Sequence, residues 1–539
     1  MKSIHKYIIL VLLSLAFGLH SCYDKVNDWP IEDIENRLFL PIIFEPSTLK
    51  PTSIEIKYTK VADASKYIFQ FSKNNFESIE KEFVILSDTL TPFSESQTNP
   101  LKTEYRTMFE GLDGTSIYLV RMYSENTDAT LKSKYSMFEF TTPAEQLFKG
   151  YSTSSDVIFV NWVAESNVTH IVLKQEDTEI EKRTLSAGEK SSGKAQFTGL
   201  TMGLGYTVTI LRDDILRGTL QLKTAGIANS TIYKVLPTDN CLTINTALAN
   251  LIARGAKDIT VEFEPGKTYN FPYDDGNGII ESTIIIPAGT ENISFIGSAD
   301  ANGNLPQVTN GNYTIEALAN DVTFQNLELT ANGGMLFNID GKKFNDVLFE
   351  NCVISNLNSI VRLYNGAIAN SIKVNNCRVS KTGGWGMLNV GAGNTIASII
   401  VSNSTLTEIN TRFADVRVKT DIVFRNITAY NKSEKMSHLW LLDNNSAPTV
   451  KVENLIVSGA NGGVLLNSTN GNYGNVNISY GGSYKTNDLK IDQRPLADIS
   501  EVPLSAEELF VDPANGNFRI KPGTGFAGTG VAGDPRWFD

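Results

Sequence analysis

Cysteines, basic residues and long apolar runs are all scarce in this sequence, and each scarcity excludes a class of protein. Four cysteines in 539 residues do not make the framework of a disulfide-rich domain. Acidic residues outnumber basic ones by 59 to 47, and the net charge of −12 argues against a nucleic-acid partner. Beyond Leu19 no stretch is apolar enough to cross a bilayer. The chain is long enough for about two to four domains.

The first residues have the pattern of an export signal. A basic start, Met1 to Lys6, precedes an apolar run from Tyr7 to Leu19 that is too short to span a membrane, and Cys22 follows it. Residues 1–22 resemble the signal peptide of a bacterial lipoprotein, which implies that Cys22 is lipidated in the mature protein. An ordinary signal peptide followed by a chance cysteine is the alternative.

Residues 23–30 form a short tether after this cysteine. The acid-containing stretch from Tyr23 to Asp28 resembles the export tag of surface lipoproteins in Gram-negative gut anaerobes that import glycans. The resemblance implies a protein that is lipid-anchored in the outer membrane and faces the cell exterior. Its partners would then be the membrane lipid, a polysaccharide and a glycan-uptake complex.

One six-residue phrase recurs six times between Asp321 and about Gly459. The copies begin 23 to 28 residues apart, which is a period typical of solenoid repeats. Apolar and polar residues alternate on both sides of the final asparagine, as in strands with one buried face. Each asparagine is expected at a turn, where stacked amides form a ladder of hydrogen bonds. The ladder residues are Asn326, Asn351, Asn376, Asn403, Asn426 and Asn454.

The coil length, the ladder and the phrase Val-x-Phe-x-Asn resemble the right-handed parallel β-helices of the pectate-lyase-like superfamily. The resemblance covers about residues 227–533, and we assign residues 227–539 to one β-helix domain. Cys352 and Cys377 hold the same position on successive coils and are expected to stack in its core. Within the domain we expect a capping helix at about 242–254, regular coils at about 321–459 and a closing segment at about 500–539.

The capping helix is predicted from one apolar stripe that includes Leu242, Leu248 and Leu251. Thr238 or Asp239 would cap its amino end. A solenoid needs such a cover over its first coil, because otherwise the core and the strand edges would meet water.

Two segments before the β-helix, 31–144 and 145–226, consist of strand patterns and turns without a helical period. Tyr118 and Tyr206, with the loops before them, resemble the tyrosine corners of two fibronectin type III sandwiches. Trp162 and Tyr206 are expected in the core rather than in a binding site. We therefore predict an all-β protein in which two N-terminal fibronectin type III-like β-sandwiches precede a right-handed parallel β-helix with an N-terminal capping helix. The sandwiches would act as spacers.

The candidate site lies on the outer face of one β-helix sheet. Aligning the coils on their asparagines and applying period-2 alternation predicts two outward columns, while Leu439 and Leu441 point inward. The first column contains Arg362, Met387, Asp415 and His438, and the second contains Tyr364, Asn389, Arg417 and Trp440. Trp385, Arg412 and Lys419 lie near them in sequence.

Aromatic rings stack on sugar faces, and guanidinium and ammonium groups pair with carboxylates, so this residue set suits an acidic oligosaccharide. A solvated face in which Asp415 simply pairs with Arg362 or His438 is the alternative. The predicted glycan-binding residues are Arg362, Tyr364, Trp385, Asn389, Asp415, Arg417, Lys419, His438 and Trp440.

Catalysis is the second hypothesis for the same face. A polysaccharide lyase must neutralise a uronate carboxylate and remove the C5 proton, and Arg417, Lys419 and His438 are candidates for these roles. A Ca²⁺ site requires several converging carboxylates, whereas only Asp415, with Asp443 nearby, is found here. No metal or other cofactor is therefore predicted, and Ca²⁺ enters only if the protein is a lyase.

Three functions follow, and the first is favoured because no catalytic pattern can be transferred residue by residue. The protein binds a pectin-like or other uronate-containing polysaccharide at the cell surface, for uptake or degradation. Alternatively, it is a lyase acting by β-elimination. A structural or adhesin-like surface protein is the third interpretation.

Overall fold

The computed structural model describes residues 37–538, apart from 96–97, 275, 277–279, 433–437, 444–447, 460–465, 471–475 and 490–497. The side chains of His438, Leu466–Asn470 and Asn477 are outside the described set. The predicted signal peptide, Cys22 and the tether also lie outside it.

Regular structure in the described residues is almost entirely β, which confirms the all-β prediction. The α-helices there are α1 (Ala187–Ser192), α2 (Cys241–Ala253) and α3 (Ala506–Leu509). None of these helices could cross a membrane. Short 3₁₀ turns occur at Ser87–Thr89, Pro100–Lys102, Pro513–Asn515 and Pro535–Trp537.

The chain divides into two compact units. The first unit, Met1–Gln146 with Leu211–Gly218, contains a fibronectin type III-like sandwich. Its two antiparallel sheets have the orders β1-β2-β5 and β4-β3-β6-β7. The hydroxyl of Tyr118 accepts a hydrogen bond of 3.0 Å from the Asp113 amide, as the tyrosine-corner interpretation requires. The strands are β1 (Phe44–Lys50), β2 (Ser53–Thr59), β3 (Lys66–Ser72), β4 (Lys81–Leu86), β5 (Glu104–Glu110), β6 (Ile117–Glu125) and β7 (Ser136–Thr141).

The second unit, Leu147–Ile210 with Thr219–Asp539, contains a second sandwich and a β-solenoid. The sheets of this sandwich have the orders β12-β9-β8 and β11-β10-β13-β14. Trp162 is buried in its core, and the Tyr206 hydroxyl accepts from the Thr201 amide over 3.0 Å. The strands are β8 (Phe148–Thr153), β9 (Ile158–Trp162), β10 (His170–Gln175), β11 (Thr178–Thr184), β12 (Lys194–Phe197), β13 (Gly205–Arg212) and β14 (Ile215–Lys223).

Two long sheets run along the solenoid, and the strands within each are parallel. The larger has 17 strands, in the order β15-β16-β17-β21-β22-β24-β25-β27-β28-β30-β31-β33-β35-β37-β39-β40-β41. The smaller has eight, β20-β23-β26-β29-β32-β34-β36-β38, and β18 and β19 form a separate pair. We call the outer surface of the smaller sheet the eight-strand face.

The solenoid strands in chain order are β15 (Thr231–Lys234), β16 (Asp258–Glu262), β17 (Thr268–Asn270), β18 (Tyr273–Asp274), β19 (Ile280–Glu281), β20 (Thr283–Ile286), β21 (Asn292–Ile296), β22 (Gln307–Thr309), β23 (Asn312–Ile315), β24 (Leu318–Gln325), β25 (Glu328–Thr330), β26 (Met335–Asp340), β27 (Lys343–Glu350), β28 (Val353–Leu357), β29 (Ser359–Tyr364), β30 (Ile368–Asn375), β31 (Arg378–Thr382), β32 (Leu388–Val390), β33 (Thr395–Ile409), β34 (Ala414–Val416), β35 (Asp421–Tyr430), β36 (His438–Asp443), β37 (Thr449–Ser458), β38 (Leu466–Asn470), β39 (Asn477–Gly481), β40 (Tyr484–Thr486) and β41 (Ser500–Val502). A closing hairpin, β42 (Phe510–Asp512) with β43 (Asn517–Ile520), follows.

The asparagine ladder runs along the turns of the larger sheet. Every ladder asparagine has a left-handed backbone, with φ between 49° and 57°, which asparagine tolerates better than most residues. Side-chain amides donate from Asn351 to Asn326, from Asn376 to Asn351, from Asn426 to Asn403 and from Asn454 to Asn426, over 2.8 to 3.3 Å. One step is broken, because Asn403 donates to Asn375 instead of Asn376.

The carboxyl-terminal tail supplies the missing partner at that step. Nη2 of Arg536 donates to Oδ1 of Asn376 over 3.0 Å. The buried carboxylate of Asp534 accepts from Thr405 and from Arg536, both over 2.6 Å, and Trp537 donates its ring N–H to Thr405 over 2.8 Å. The tail therefore packs back against the middle coils of the solenoid.

Helix α2 packs over the first coil, but it is positioned differently from the prediction. Asn240, not Thr238 or Asp239, caps it by accepting from the Thr243 amide. Asp239 instead accepts from the Leu236 amide. The buried stripe is Cys241, Ile244 and Leu248, while Leu242 is 43% exposed. Leu248 is buried as predicted and Leu251 packs against the core, so the prediction was wrong only for Leu242, whose place in the stripe is taken by Cys241 and Ile244.

Candidate functional site

The strand register defines which side chains share a column on the eight-strand face. Cα pairing links Asn338 to Arg362, Arg362 to Asn389, Asn389 to Asp415, and Asp415 to Leu441. Neighbouring strands lie about 4.8 Å apart, so these side chains stand in adjacent positions.

The two predicted columns are therefore wrong in part. Met387 and Trp440 are fully buried rather than outward, and Leu441 is half-buried on the outer side rather than in the core. Five of the strands, β26, β29, β32, β34 and β36, have two consecutive buried residues at or beside their start, at the coil corner. This pair interrupts strict alternation, and a slip of one residue exchanges the two faces of a strand. The corner pairs are Leu336 with Phe337, Ile360 with Val361, Met387 with Leu388, Phe413 with Ala414, and Leu439 with Trp440.

Trp440 is a core residue with a complete set of partners. Its ring N–H donates to the Tyr480 hydroxyl over 2.9 Å. Its ring packs edge-on against Phe413 and Phe424, with centroid separations of 5.7 and 4.7 Å. The glycan-binding role predicted for Trp440 is incorrect, because no part of the ring reaches the surface.

Arg362 lies against two aromatic rings on the outer face. Its guanidinium carbon is 4.2 Å from the centroid of Tyr364 and 4.7 Å from that of Trp385. Its Nε is buried without a hydrogen-bond partner, and Arg362 forms no ion pair within the described residues. Trp385 is 42% exposed. We call Arg362, Tyr364 and Trp385 the stacked-arginine cluster.

Asp415 holds two further arginines in place. Its Oδ1 accepts from Nε of Arg417 over 3.0 Å, and its Oδ2 accepts from Nη2 of Arg417 over 3.2 Å and Nη1 of Arg412 over 3.1 Å. Asp415 is only 2% exposed, whereas Arg417 is half-buried. The hydrogen bonds with Asp415 raise the pKa of the Arg417 guanidinium above its ordinary value. The alternative pairing of Asp415 with Arg362 does not occur.

The remaining predicted site residues are Asn389, Lys419 and His438. Asn389 is 5% exposed and lies between Arg362 and Asp415 in the column. Lys419 is exposed and follows the end of β34. The side chain of His438 lies outside the described residues.

Asn338 and Asp340 were missed by the sequence analysis, although both lie on the eight-strand face. Asn338 pairs with Arg362 and Asp340 with Tyr364 in the register. Asn338 also lines an open groove of about 570 Å³ with Asn310, Asn312 and Met335. β26 follows the first copy of the repeated phrase, which begins at Asp321, but it contains no basic residue, so it lacks the mixture of charges that marks the corresponding strands of the later coils.

Burial raises the pKa of the Tyr364 hydroxyl, with Asp340 contributing, so this group stays protonated at neutral pH. Within the part of the chain that the structure describes, no three His, Cys, Asp or Glu side chains are grouped as a metal site would require. The described geometry can bind anions through guanidinium groups and sugar rings through exposed aromatics.

Comparison with known proteins gives partial matches. A family described as a domain of unknown function, DUF5123, matches residues 422–537, which span the last coils and the tail. No curated protein matches. A two-domain fibronectin type III segment of chicken tenascin is similar at 19% identity and a TM-score of 0.23, covering 34% of this chain and 99% of that one. The FN1-FN3 domains of chicken CNTN1 are similar at 15% identity and a TM-score of 0.17, covering 36% and 69%.

Proposed function

We propose that this protein is a lipid-anchored, surface-exposed lipoprotein whose eight-strand face binds an acidic, uronate-containing polysaccharide for uptake or degradation. Sandwich and solenoid folds are consistent with a surface-binding or adhesin-like protein. The resemblance of the coils to pectate-lyase-like β-helices, and that of residues 1–30 to lipoprotein signals, belong to the same proposal.

The proposal rests on one observation, namely that the Arg362 guanidinium group is stacked on aromatic rings and has no carboxylate partner within the described residues. A guanidinium group that is stacked on two rings is held in one plane, and its N–H groups are not committed to a carboxylate. A uronate carboxylate matches that planar fork in a bidentate arrangement, while the exposed Trp385 ring offers a surface for a sugar face.

The charges around this cluster favour an anionic ligand. Arg362, Arg412, Arg417 and Lys419 outnumber Asp340, Asp415 and Asp443 on a protein whose net charge is −12. Asp415 is buried under Arg412 and Arg417, so it orients them rather than facing a ligand. Binding to this face would therefore weaken as salt concentration rises.

Binding fits the described geometry better than β-elimination. The raised pKa of Arg417 keeps that group protonated, and this opposes its use as a base. The raised pKa of Tyr364 has the same consequence at neutral pH. Lys419 is exposed and forms no ion pair within the described residues. The lyase hypothesis therefore now depends on Lys419 and on His438, whose side chain lies outside the described residues.

Affinity electrophoresis of the mature protein in gels with polygalacturonate and other acidic polysaccharides tests the proposal. Arg362→Gln and Trp385→Ala should each weaken retardation about tenfold, since charge-assisted hydrogen bonds and aromatic contacts of this kind contribute about 1–3 kcal/mol. Arg106→Gln is the matched control, because Arg106 also stacks on a ring, that of Phe93, but belongs to the first sandwich and not to this face. Unchanged retardation in both site variants would remove the face as the binding surface.

The same polysaccharides, incubated with the protein with and without Ca²⁺, test the lyase alternative. Elimination creates an unsaturated uronate that absorbs in the ultraviolet. We expect no increase in absorbance. An increase that Lys419→Ala or His438→Ala abolishes would establish the lyase instead.

A further inference from the structure

A second concave surface lies between the second sandwich and the solenoid, both within the second unit. One wall is the outer face of the sheet β12-β9-β8, and the other is the solenoid loop of residues 299–303. The cleft has a volume of about 730 Å³, which is within the usual range for small-molecule sites, about 300–1,000 Å³. We call it the sandwich cleft.

Hydrogen bonds between the two bodies hold the walls in place. The Tyr151 hydroxyl donates to Glu350 over 2.8 Å, and Gln325 donates to the Thr153 hydroxyl over 3.0 Å. The ladder residue Asn326 donates to the carbonyl oxygen of Thr153. A cleft whose walls are fixed before a ligand arrives loses less entropy on binding than one that must close.

The sandwich wall carries an exposed ring surrounded by small and amide side chains. Phe159 is 43% exposed on the outer face of β9, the central strand of this sheet. Its register partners are Gln196 on one side and Ser152 on the other. In the next row, Asn161 lies between Lys194 and Gly150.

These side chains provide a flat platform. A Cβ atom on Gly150 would lie 3.0 Å from the Asn161 carboxamide oxygen, so glycine keeps this part of the wall level. Within the described residues, the side-chain amides of Asn161 and Gln196 have no hydrogen-bond partner, and each can both donate and accept.

The carboxylates that line the cleft are already occupied. Glu189 accepts from Ser186 in the capping box of α1 and from Arg183. Asp300 accepts from the backbone amides of Asn302 and Asn304 over 2.9 and 2.8 Å, which shapes its own loop. Only the exposed Lys194 adds an unpaired charge, at the rim.

We propose that the sandwich cleft is a second binding site that takes a neutral sugar unit of a glycan. The Phe159 ring would contact the apolar face of the sugar, and the Asn161, Gln196 and Ser152 side chains would exchange hydrogen bonds with its hydroxyl groups. This inference does not depend on the eight-strand face, for which the proposed ligand is acidic and the proposed contact is Arg362.

Isothermal titration of the mature protein with short neutral oligosaccharides, namely cello-, xylo-, manno- and galacto-oligomers, tests the assignment. Phe159→Ala should weaken binding of the recognised oligomer about tenfold, because aromatic anchors of this kind contribute more than about 1 kcal/mol. Ala301→Trp should have a similar effect by filling the cleft from the solenoid wall. Ile180→Ala is the matched control, since Ile180 is 49% exposed on β11, in the other sheet of the same sandwich.

Each outcome of the titration either supports or overturns the proposed site in the sandwich cleft. Loss in both cleft variants with retention in Ile180→Ala supports the proposal. It is overturned if no neutral oligomer binds, or if only Phe159→Ala loses affinity, because the contact would then lie outside the cleft. Arg362→Gln separates the two sites, since it should affect acidic polysaccharides and leave neutral oligomers unchanged.

Discussion

The Tyr151 hydroxyl of the second sandwich donates to Oε1 of Glu350 in the solenoid over 2.8 Å. Nδ2 of Asn375, on the following coil, donates to both oxygens of the same carboxyl group. Burial raises the pKa of Glu350, and the hydrogen bonds from Asn375 and Tyr151 only partly oppose this. A titratable group therefore lies inside the contact between the two bodies.

Glu350 should make the stability of the second unit depend on pH. Because its folded-state pKa is raised above the ordinary 4.5, the native protein binds this proton more tightly than the unfolded chain does. The stabilisation is complete below about pH 4.5 and is lost as pH rises through the folded-state pKa. Glu350→Gln should flatten this decrease when unfolding is followed by calorimetry. Glu179→Gln, at an exposed site on β11, should leave the profile unchanged, and equal slopes in all three proteins would contradict the prediction.

Each ladder asparagine has a left-handed backbone and forms side-chain hydrogen bonds, and both affect stability. Substitutions at Asn351 can measure the two contributions separately. Asn351 has φ of 53° and bonds through its side chain to Asn326 and Asn376. Asn351→Gly removes the bonds but not the allowed conformation, and should cost about 1–2 kcal/mol. Asn351→Ala should cost about 1 kcal/mol more, from left-handed strain. Equal losses in urea unfolding would show that the strain contributes nothing.

Asp415→Asn distinguishes positioning from simple charge. The substitution removes one negative charge beside Arg412 and Arg417, so bulk electrostatics alone would strengthen binding of an acidic polysaccharide. We expect the opposite, a loss of about tenfold, because the neutral amide no longer holds the two guanidinium groups in one orientation. Affinity electrophoresis at matched salt concentration measures the effect. Tighter binding by the variant would mean that Asp415 does not position the arginines.

Cys22 should carry the lipid anchor. Expression in a Gram-negative host with labelled palmitate should label the wild-type protein and Tyr23→Ala, but not Cys22→Ala. Labelled Cys22→Ala would place any lipid elsewhere, and an unlabelled wild-type protein would favour an ordinary signal peptide. Protease treatment of intact cells would then report whether the anchored protein faces the exterior.

Much of the fold was predictable because its signals are local and repeated. Alternation around Asn326 and its successors marks two short strands per coil, and asparagine suits the left-handed turn between them. The loops before Tyr118 and Tyr206 are similarly local, since each hydroxyl bonds an amide five residues earlier. Such features need only a short window of sequence to be recognised.

The candidate site was only partly predictable, because a side chain's face depends on where each coil turns its corner. Arg362, Tyr364 and Trp385 were expected near one another and do form a cluster, whereas Trp440 was expected beside them and lies in the core. Two buried residues at the corners of five coils shift the alternation by one position, and nothing in a single strand reveals that shift.

Local residue chemistry was therefore enough to predict the sandwiches, the solenoid and the ladder. It did not predict four features of the structure. These are the burial of Trp440, the cap formed by Asn240, the hydrogen bonds of Asp415 with its neighbouring arginines, and the contact between Tyr151 and Glu350. Trp440 with Tyr480, and Tyr151 with Glu350, are brought together by packing from distant positions in the sequence. The Asn240 cap and the bonds of Asp415 to its two arginines are local, but they depend on where the packed chain begins the helix and turns the coil. Short-range periodicity identifies the strands and turns, while packing across the whole core determines which side chains of each strand are buried.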